Sequence, residues 1–271
     1  MKNVLITGAS GGVGTALSRA LSDAGWRVFG ASRSPGAELQ FDVTDPESIA
    51  RAAALVEERT GGEGLAGLVN NAGIIVDGPL ELVPLHAFRR QFEVNVIGAL
   101  AVTQAFLPLL RRGRGTIVNV GAATGRVTVP MAGSISASKT ALESLTDALR
   151  MELKHQGVGV TIVEPGALQT EIFAKAAARA AAEGWAGSEQ TQRLYASALR
   201  ASQEALAGIK PAPVDGLVRV IVRALSDGRP DTRYVVGRDA KQIVLLRRLP
   251  QGLRDRVLMR AVGLSAEAFA A

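Results

Sequence analysis

A glycine-rich segment near the start of the chain has the composition of a phosphate-binding turn. Residues 7–14 are Thr-Gly-Ala-Ser-Gly-Gly-Val-Gly, directly after a short apolar run, 3–7, that is typical of a β-strand. A helical pattern over 13–24 follows them. Glycines let the backbone approach a pyrophosphate, and a helix N-terminus offers it free N–H groups. The segment predicts a dinucleotide site, although glycine-rich turns also occur in proteins that bind no nucleotide.

Further short motifs follow the glycine turn in a recognisable order. They are Asp42-Val43-Thr44-Asp45, Asn70-Asn71-Ala72-Gly73, Asn95, Ser138-Lys139, Pro165-Gly166 and Thr170. With the glycine turn, their order and spacing resemble the short-chain dehydrogenase/reductase family over about residues 1–170. Residues 234–240, Tyr-Val-Val-Gly-Arg-Asp-Ala, are similar to the retinol and hydroxysteroid dehydrogenase branch of that family, but less specifically.

The resemblance implies a set of contacts with a nicotinamide dinucleotide. It places Gly8, Gly12 and Gly14 at the pyrophosphate and Asp42 at the adenine. It places Asn70 and the backbone of Ala72 and Gly73 at the adenosine ribose and the nearby sheet, Lys139 at the nicotinamide ribose, and Thr170 at the carboxamide. The remaining cofactor-binding positions expected from it are Ser10, Val13, Val43, Pro165 and Gly166. Each of these residues also has a purely structural interpretation, as a turn or sheet residue.

The end of the second predicted strand, 27–31, indicates which dinucleotide is preferred. A carboxylate there would bond the ribose 2′-hydroxyl group and repel a 2′-phosphate. The chain has Ser32 and Arg33 instead, and a guanidinium group can bind a phosphate through two hydrogen bonds. We therefore expect NADP(H) to be preferred over NAD(H). The alternative is that Arg33 is a solvated surface residue.

The side chains that normally perform the family's chemistry are missing. The family uses a tyrosine four residues before the lysine and a serine about thirteen residues before that tyrosine. Counted from Lys139, these positions hold Ile135 and Ala122, whereas Asn95 and Lys139 are retained. An alkyl side chain cannot donate a proton, and general acid–base catalysis contributes about 10²–10⁴ in rate. We therefore expect the rate of ordinary carbonyl reduction to be close to zero.

Other polar side chains could replace the missing proton donor, although a structural role is the simpler expectation for each. Ser134 and Ser136 are each one position from Ile135 and therefore project about 100° away from it around a helix. The remaining candidates are Asp77, His86, Thr124, Thr128 and Tyr195.

The chain keeps the cofactor motifs but lacks the serine and the tyrosine. This combination leaves three hypotheses about its function. In the first, which we favour here, the chain is an enzyme that keeps NADP(H) as part of its pocket and catalyses cyclisation, isomerisation or dehydration. In the second, it is an NADPH-dependent oxidoreductase for a ketone, alcohol or activated double bond, with a relocated proton donor. In the third, it is a non-catalytic regulatory or scaffold protein that binds NADP(H).

Apolar runs that alternate with helical patterns predict an α/β fold. The expected architecture is a Rossmann-type, doubly wound parallel sheet with helices on both faces. The 271 residues fit a single domain, in which 1–170 form the cofactor-binding core. Residues 171–210 are expected to form a helical lobe that covers the substrate, and 238–264 a basic amphipathic C-terminal segment.

Composition narrows the functional classes. The chain has no cysteine, which excludes disulfides and thiolate metal sites, and no metal site is predicted. The apolar run 3–7 is too short for a signal peptide or a membrane span, so a cytoplasmic location is expected. Residues 238–260 carry seven basic and two acidic side chains, while the rest of the chain is nearly neutral. This distribution argues against nucleic-acid binding.

Partners are predicted mainly from the resemblance. The lobe carries apolar side chains, Phe173, Trp185, Leu194, Leu199 and Leu206, which favour a bulky hydrophobic small molecule as ligand. The resemblance also implies a homodimer or homotetramer through helices at about 88–110 and 135–156. The C-terminal segment is expected to be a docked amphipathic helix or part of a subunit interface, and peripheral membrane contact is the less favoured alternative.

Overall fold

Seven parallel strands form the centre of the molecule. The computed structural model describes residues 1–264. The strands are β1 (Asn3–Thr7), β2 (Arg27–Ser32), β3 (Leu39–Gln40), β4 (Gly67–Asn70), β5 (Thr116–Val120), β6 (Gly159–Pro165) and β7 (Arg233–Val236). Their order in the sheet is β3-β2-β1-β4-β5-β6-β7, and every pair is parallel. The predicted Rossmann-type, single-domain fold is confirmed.

Helices cover both faces of this sheet. They are α1 (Gly12–Asp23), α2 (Pro46–Thr60), α3 (Leu85–Phe92), α4 (Gly98–Gly113), α5 (Ala123–Arg126), α6 (Gly133–Glu152), α7 (Ile172–Glu183), α8 (Glu189–Ala207), α9 (Asp215–Ser226), α10 (Arg238–Leu245) and α11 (Gln251–Ala261). A π-helical turn, Glu93–Ile97, joins α3 to α4. Short 3-10 turns, Lys154–Gln156 and Leu246–Arg248, follow α6 and α10.

The strands are apolar on both faces because both faces are buried. In β1, Leu5 packs into the cluster of side chains beneath α2 and α4, whereas Val4 and Ile6 pack into the opposite cluster beneath α1 and α9. Successive side chains of a strand point to opposite faces, so a continuous apolar run supplies two cores. This is the physical reason why the strands could be predicted as uninterrupted apolar segments.

The strand order creates a crevice beside β1. The chain runs outward from β1 through β2 to β3, and then crosses to the other side of β1 to begin β4. Loops that leave β1 and β4 therefore diverge at the carboxyl edge of the sheet, where ligands bind in this class of fold. The glycine turn after β1, the loop 71–84 after β4, and α5 after β5 all lie at that edge.

The lobe and the tail close over this edge. The lobe consists of α7 and α8, and the N–H of Ala186, between them, donates to the carbonyl oxygen of Leu82 at 2.7 Å. The tail is tied down at α10, where a carboxylate oxygen of Asp239 accepts from the N–H of Ala167 at 2.8 Å. Beyond α10, Leu258 of α11 is buried. The lobe and the C-terminal segment therefore both contact the body of the domain.

The continuous helix Leu85–Gly113 is longer than the predicted 88–110. Among residues 1–264 it is the one helix long and apolar enough to cross a membrane by length and composition, with a mean hydropathy of 1.5. It packs on α2 and on β4 and β5 of the sheet, as a core helix of a Rossmann-type domain does. Of its most apolar 18-residue stretch, 39% is buried inside the protein.

Candidate active site

The glycine turn is shaped by close backbone contacts. Gly8 has a φ of +66°, and a Cβ atom on it would lie 3.0 Å from the Cα of Ala72. A Cβ on Gly14 would lie 2.2 Å from the carbonyl oxygen of Gly8. No side chain caps α1, whose N-cap is Gly11, so its first N–H groups are left for a ligand. The cradle therefore fits a pyrophosphate, with Ser10 and Val13 on the same turn.

Gly14 and Gly11 provide a matched test of this geometry. We expect Gly14→Ala to lower the free energy of unfolding by about 1–3 kcal/mol, because the added methyl group overlaps backbone. Gly11→Ala adds the same methyl group, but its nearest neighbour, the Gly8 oxygen, is 3.4 Å away. Urea unfolding of both variants gives the comparison. Equal stability of the two would contradict the tight contact at Gly14.

The turn after β4 is tied to the glycine turn. The hydroxyl oxygen of Thr7 accepts from the N–H groups of Asn71 and Ala72, each at 3.0 Å. The side-chain amide of Asn71 donates to the carbonyl oxygens of Thr7 and Gly8. By contrast, the side chain of Asn70 points into the interior. The family resemblance predicts Asn70 at the adenosine ribose. In the structure only the backbone of Asn70, at the end of β4, lies at the carboxyl edge of the sheet.

The side chain of Asn70 belongs to a buried polar chain. Its amide nitrogen donates to Thr103 at 3.0 Å and to Asn119 at 2.8 Å, and Asn119 in turn donates to Thr146. This chain links β4 and β5 to α4 and α6 beneath the site. It gives partners to the buried amide nitrogens of Asn70 and Asn119, whereas the Oδ1 of Asn70 has none among residues 1–264.

Arg33 and Asp42 lie at the far end of the cradle. Arg33 follows β2, and one of its guanidinium nitrogens is 3.8 Å from a carboxylate oxygen of Asp42. The Arg33 side chain is 66% exposed, which leaves it free to meet a phosphate. Asp42 is held by the N–H and hydroxyl groups of Thr44, and Val43 packs against Gly98 of α4. Arg33 and Asp42 are therefore neighbours at the carboxyl end of β2, where the resemblance expects the adenosine end of the cofactor.

A groove of about 770 Å³ borders the cradle on the side of α1 and α9. Its lining includes Ser10, Gly12 and Thr170. A Cβ atom on Gly12 would lie 3.1 Å from the methyl group of Thr170, so the segment after β6 reaches the glycine turn. Pro165 ends β6, and the N–H of Gly166 donates to the carbonyl oxygen of Val236 at 3.2 Å. The predicted cofactor residues after β1 and β6 are therefore brought together.

Lys139 occupies the opposite end of the crevice. Its Nζ donates to the carbonyl oxygen of Val120, at the end of β5, at 2.7 Å. Burial lowers the pKa of Lys139 to about 8. A Cβ atom on Gly73 would lie 3.9 Å from this Nζ, so the loop after β4 passes directly beside it. Lys139 can therefore bond a sugar hydroxyl group and can also exchange a proton near neutral pH.

Asn95 fixes the loop next to Lys139 from the π-helical turn. Its Oδ1 accepts from the N–H of Ile74 at 2.9 Å, and its Nδ2 donates to the carbonyl oxygen of Ile74 at 3.0 Å. The same Nδ2 reaches the hydroxyl oxygen of Ser138 at 3.2 Å, which itself donates to the carbonyl oxygen of Ile135. A π-helical turn often marks a functional site. Here it aims the Asn95 side chain at the loop.

The two substituted positions add apolar surface at this end of the site. Ile135 lies in the first turn of α6, one turn before Lys139, and is 8% exposed. Ala122 is extended and immediately precedes α5, at the carboxyl edge of the sheet. Neither side chain can give up a proton or bond an oxyanion. Lys139 and Asn95 are therefore accompanied by hydrocarbon where the family pattern has hydroxyl groups.

Two of the candidate replacement donors, Tyr195 of α8 and His86 of α3, contact carboxylates. The hydroxyl group of Tyr195 donates to Glu81 at 2.8 Å, which raises the pKa of Tyr195. The imidazole of His86 lies 3.5 Å from Glu183. Both side chains are engaged with surface carboxylates that belong to the loop after β4 and to α7.

The other candidates are nearer to α6. The hydroxyl groups of Ser134 and Ser136 are buried and have no hydrogen-bond partner among residues 1–264. Thr124 is half-buried in α5, and Thr128 is exposed. Asp77 is partly buried in the loop after β4, and desolvation raises its pKa to about 6. Of this group, Asp77 alone has a pKa that is moved close to neutrality.

A buried ionic cluster behind the site was missed by sequence reasoning. Glu164, inside β6, is fully buried and contacts Arg233 of β7, and one of its oxygens is 3.9 Å from Arg126 of α5. Arg233 also pairs with Glu143 of α6 at 3.0 Å. Burial and the nearby Glu143 raise the pKa of Glu164 to about 7, and the two arginines oppose that rise. The sequence feature that could have indicated this cluster is Glu164 itself, a charged residue within an otherwise apolar strand.

The sequence matches a known protein family. A family model described as short chain dehydrogenase matches residues 2–181. The chain belongs to this family. The short-chain dehydrogenases are NAD(P)-dependent oxidoreductases. The family resemblance of the sequence motifs is therefore confirmed over the whole cofactor-binding core.

Named relatives of this short-chain dehydrogenase are reductases and dehydrogenases. A 3-amino-tetrahydro-pyrrolizinone reductase from Xenorhabdus hominickii is 36% identical over 253 residues, which cover 89% of this chain and 88% of the relative. Human retinol dehydrogenase 5 is 35% identical over 277 residues, covering 94% and 87%. The second of these agrees with the retinol dehydrogenase branch indicated by the tail motif.

Solved structures agree in fold. A short-chain dehydrogenase from Streptomyces avermitilis is 30% identical, with a TM-score of 0.76, and the match covers 96% of this chain and 94% of that one. Another from Burkholderia cenocepacia, in complex with NADP, is 28% identical, with a TM-score of 0.72 and coverage of 98% and 100%. A related protein of the same fold therefore binds NADP.

Proposed function

We propose that this short-chain dehydrogenase binds NADP(H) and acts on a bulky hydrophobic small molecule by chemistry that uses no tyrosine at position 135. The observation that carries this proposal is the combination of a complete glycine cradle and a buried Lys139 with hydrocarbon at Ile135 and Ala122. Cofactor residues that are kept while the hydroxyl pair is lost favour a non-redox reaction, such as isomerisation, dehydration or cyclisation.

Each retained residue has a defined task in this proposal. Lys139 bonds the nicotinamide ribose and carries a proton whose release is eased by burial. Asn95 holds the backbone of Ile74 so that the loop after β4 keeps its place beside Lys139. Ile135 and Ala122 exclude water and contact the apolar ligand. NADP(H), when bound, would form part of the pocket wall in a non-redox reaction and would supply a hydride donor or acceptor in a redox one.

Arg33 carries the expected preference for NADP(H). We expect Arg33→Ala to weaken NADPH binding by about 10–100-fold, because a charge-assisted hydrogen bond contributes about 1.5–3 kcal/mol. NADH binding should change little, because NADH has no 2′-phosphate. Calorimetric titration of both nucleotides measures this. Arg51→Ala, which removes another exposed arginine of the surface, is the control. Equal losses for NADPH and NADH would contradict the assignment.

The second candidate is an NADPH-dependent oxidoreductase with a relocated proton donor. The reductase and dehydrogenase names of the relatives favour it. The two candidates separate in one experiment, in which protein, NADPH and a panel of apolar ketones, alcohols and polycyclic compounds are incubated and analysed by mass spectrometry. A product isomeric with its substrate, or one water lighter, with NADPH unchanged supports the first candidate. Consumption of NADPH with a ketone, or reduction of added NADP⁺ with an alcohol, in step with product supports the second.

A third outcome would place the chain among non-catalytic proteins. NADPH binding with no turnover of any compound would favour a regulatory or scaffold role and contradict both enzymatic candidates. The incubation described above detects this outcome if NADPH binding is measured on the same sample. The expected cytoplasmic location is independent of it and stays a prediction.

We also infer assembly into a dimer or tetramer through α4 and α6. Ile97, the residue before α4, is 50% exposed, and Met151, at the end of α6, is 62% exposed. Both side chains lie at the ends of the helices through which the family resemblance implies assembly. Sedimentation velocity of the protein, compared with an Ile97→Asp and Met151→Asp variant, tests the assembly. A monomeric parent protein would contradict it.

A further inference from the structure

Asp77 lies in a part of the loop after β4 that is held at both ends. The N–H of Val76 donates to the side-chain oxygen of Gln91 on α3. The N–H of Gly78 donates to the carbonyl oxygen of Met131 at 2.6 Å, and Gly78 pairs with Ala132 immediately before α6. Asp77 is therefore fixed between α3 and the first turn of α6.

The loop that carries Asp77 runs beside the candidate site. The loop passes Lys139 at Gly73 and reaches the start of α6 at Gly78, and Ile135 lies in the first turn of that helix. Asp77 is the carboxylate on the short stretch between these two points. It is thus on the segment that borders the substrate side of the site.

The carboxyl group of Asp77 has no partner among residues 1–264. Its Oδ1 is shielded from solvent and accepts no hydrogen bond. Arg90, next to Gln91 on α3, is bound through both terminal nitrogens to Glu183, at 2.7 and 3.1 Å. Desolvation is the cause of the raised pKa of Asp77, and no neighbouring charge offsets it. A desolvated carboxylate without a donor is costly, and a ligand that supplies the donor recovers that cost.

An aromatic ring packs on Gly78, the residue that follows Asp77. The six-membered ring of Trp185 lies against the backbone of Gly78, so closely that a Cβ atom on this glycine would be 2.5 Å from two ring carbons. The neighbouring N–H of Ala186 donates to Leu82, which holds the lobe segment on the loop. An indole ring that packs on the loop segment carrying a carboxylate suits an organic cation, because the ring face attracts positive charge.

We propose that Asp77 and Trp185 form an ammonium subsite, and that the ligand of this enzyme is an apolar molecule that carries a protonated amine. The proposal deepens the proposed function, because it assumes that the space between the loop after β4 and the lobe receives the ligand. A metal ion fits less well, because the described residues contain no group of three or more His, Cys, Asp or Glu side chains that could hold one. A protonated amine supplies both the positive charge and the N–H donors that Asp77 lacks.

A matched pair of ligands tests the subsite. 1-Adamantylamine and 1-adamantanol have the same bulky apolar frame, but only the first carries a positive charge at neutral pH. Because the chain has two tryptophans, a Trp26→Phe background leaves Trp185 as the single fluorescent reporter. We expect the amine to bind at least about tenfold more tightly than the alcohol, since a charge-assisted hydrogen bond contributes about 1.5–3 kcal/mol.

Two substitutions in the same loop make the test specific. Asp77→Asn keeps the shape and removes the charge, and we expect it to abolish the preference for the amine. Glu81→Gln removes an equal charge four residues away, and we expect it to leave the preference intact. Thermal unfolding confirms that both variants are folded. Absence of saturable amine binding, equal affinity for the two probes, or a preference that survives Asp77→Asn would overturn the proposal.

The result is independent of the cofactor assignment. The titrations are made with and without NADP⁺, and nucleotide binding is measured separately by calorimetry. Loss of nucleotide binding with a preserved amine preference would contradict the proposed function but support the subsite. NADPH binding without any preference for the amine would agree with the proposed function but contradict the subsite.

Discussion

Ile135→Tyr combined with Ala122→Ser is expected to raise NADPH-dependent reduction of apolar ketones by about 10²–10⁴-fold. The tyrosine would stand one helical turn before Lys139, whose ammonium group favours the phenolate and so lowers the pKa of the phenol. The serine would offer the substrate oxygen a hydrogen bond from the end of β5. Initial rates of NADPH oxidation with a panel of bulky ketones measure the effect.

The control for this variant keeps the ring and removes the hydroxyl group. Ile135→Phe with Ala122→Ser fills the same volume and should remain at the level of the parent protein. A gain in both double variants would assign the effect to pocket shape. Brisk ketone reduction by the parent protein, with no gain from the tyrosine, would show that the missing pair does not limit the reaction.

Arg233→Ala is expected to lower the free energy of unfolding by about 3–5 kcal/mol, the usual cost of breaking a buried ion pair from one side. The guanidinium group contacts Glu164, lies 3.0 Å from Glu143, and lies 3.5 Å from Asp147. Its removal leaves the fully buried Glu164 with the more distant Arg126 as its cation. Equilibrium unfolding in urea, followed by circular dichroism, gives the difference.

An exposed ion pair between an arginine and an aspartate at the end of α9 provides the control for this loss of stability. Arg223 lies 3.3 Å from Asp227, and the two side chains are 71% and 43% exposed. Surface ion pairs contribute about 0–1 kcal/mol, so Arg223→Ala should cost little. If both substitutions cost the same, the cluster around Glu164 does not stabilise the fold in the way described.

Much of the fold could be predicted because its signals are local. Helix α2 is an example, with Asp45 as an N-cap that accepts from Glu47, a proline in its first turn, and Gly61 in the left-handed conformation at its end. Strand β1 was predicted to its terminal residues because a fully buried strand is a continuous apolar run. Strand β3 was missed, because two residues, Leu39 and Gln40, are too few to produce a pattern.

The candidate site was less predictable where it depends on contacts between distant segments. The glycine turn and Lys139 stand in recognisable local motifs. The double hydrogen bond of Asn95 to Ile74 requires a π-helical turn that no residue pattern indicated. The pairing of Arg90 with Glu183, a lobe residue distant in sequence, was likewise indicated by no local motif.

The bond between Asp239 and Ala167 joins the tail to the segment that leaves β6 beside the cofactor cradle. The carboxylate sits in the first turn of α10, where the helix dipole holds it in place. A protease that cut the chain after β7 would release this anchor while leaving every strand of the sheet intact. Such nicked protein is expected to lose its dinucleotide on a desalting column long before its secondary structure melts.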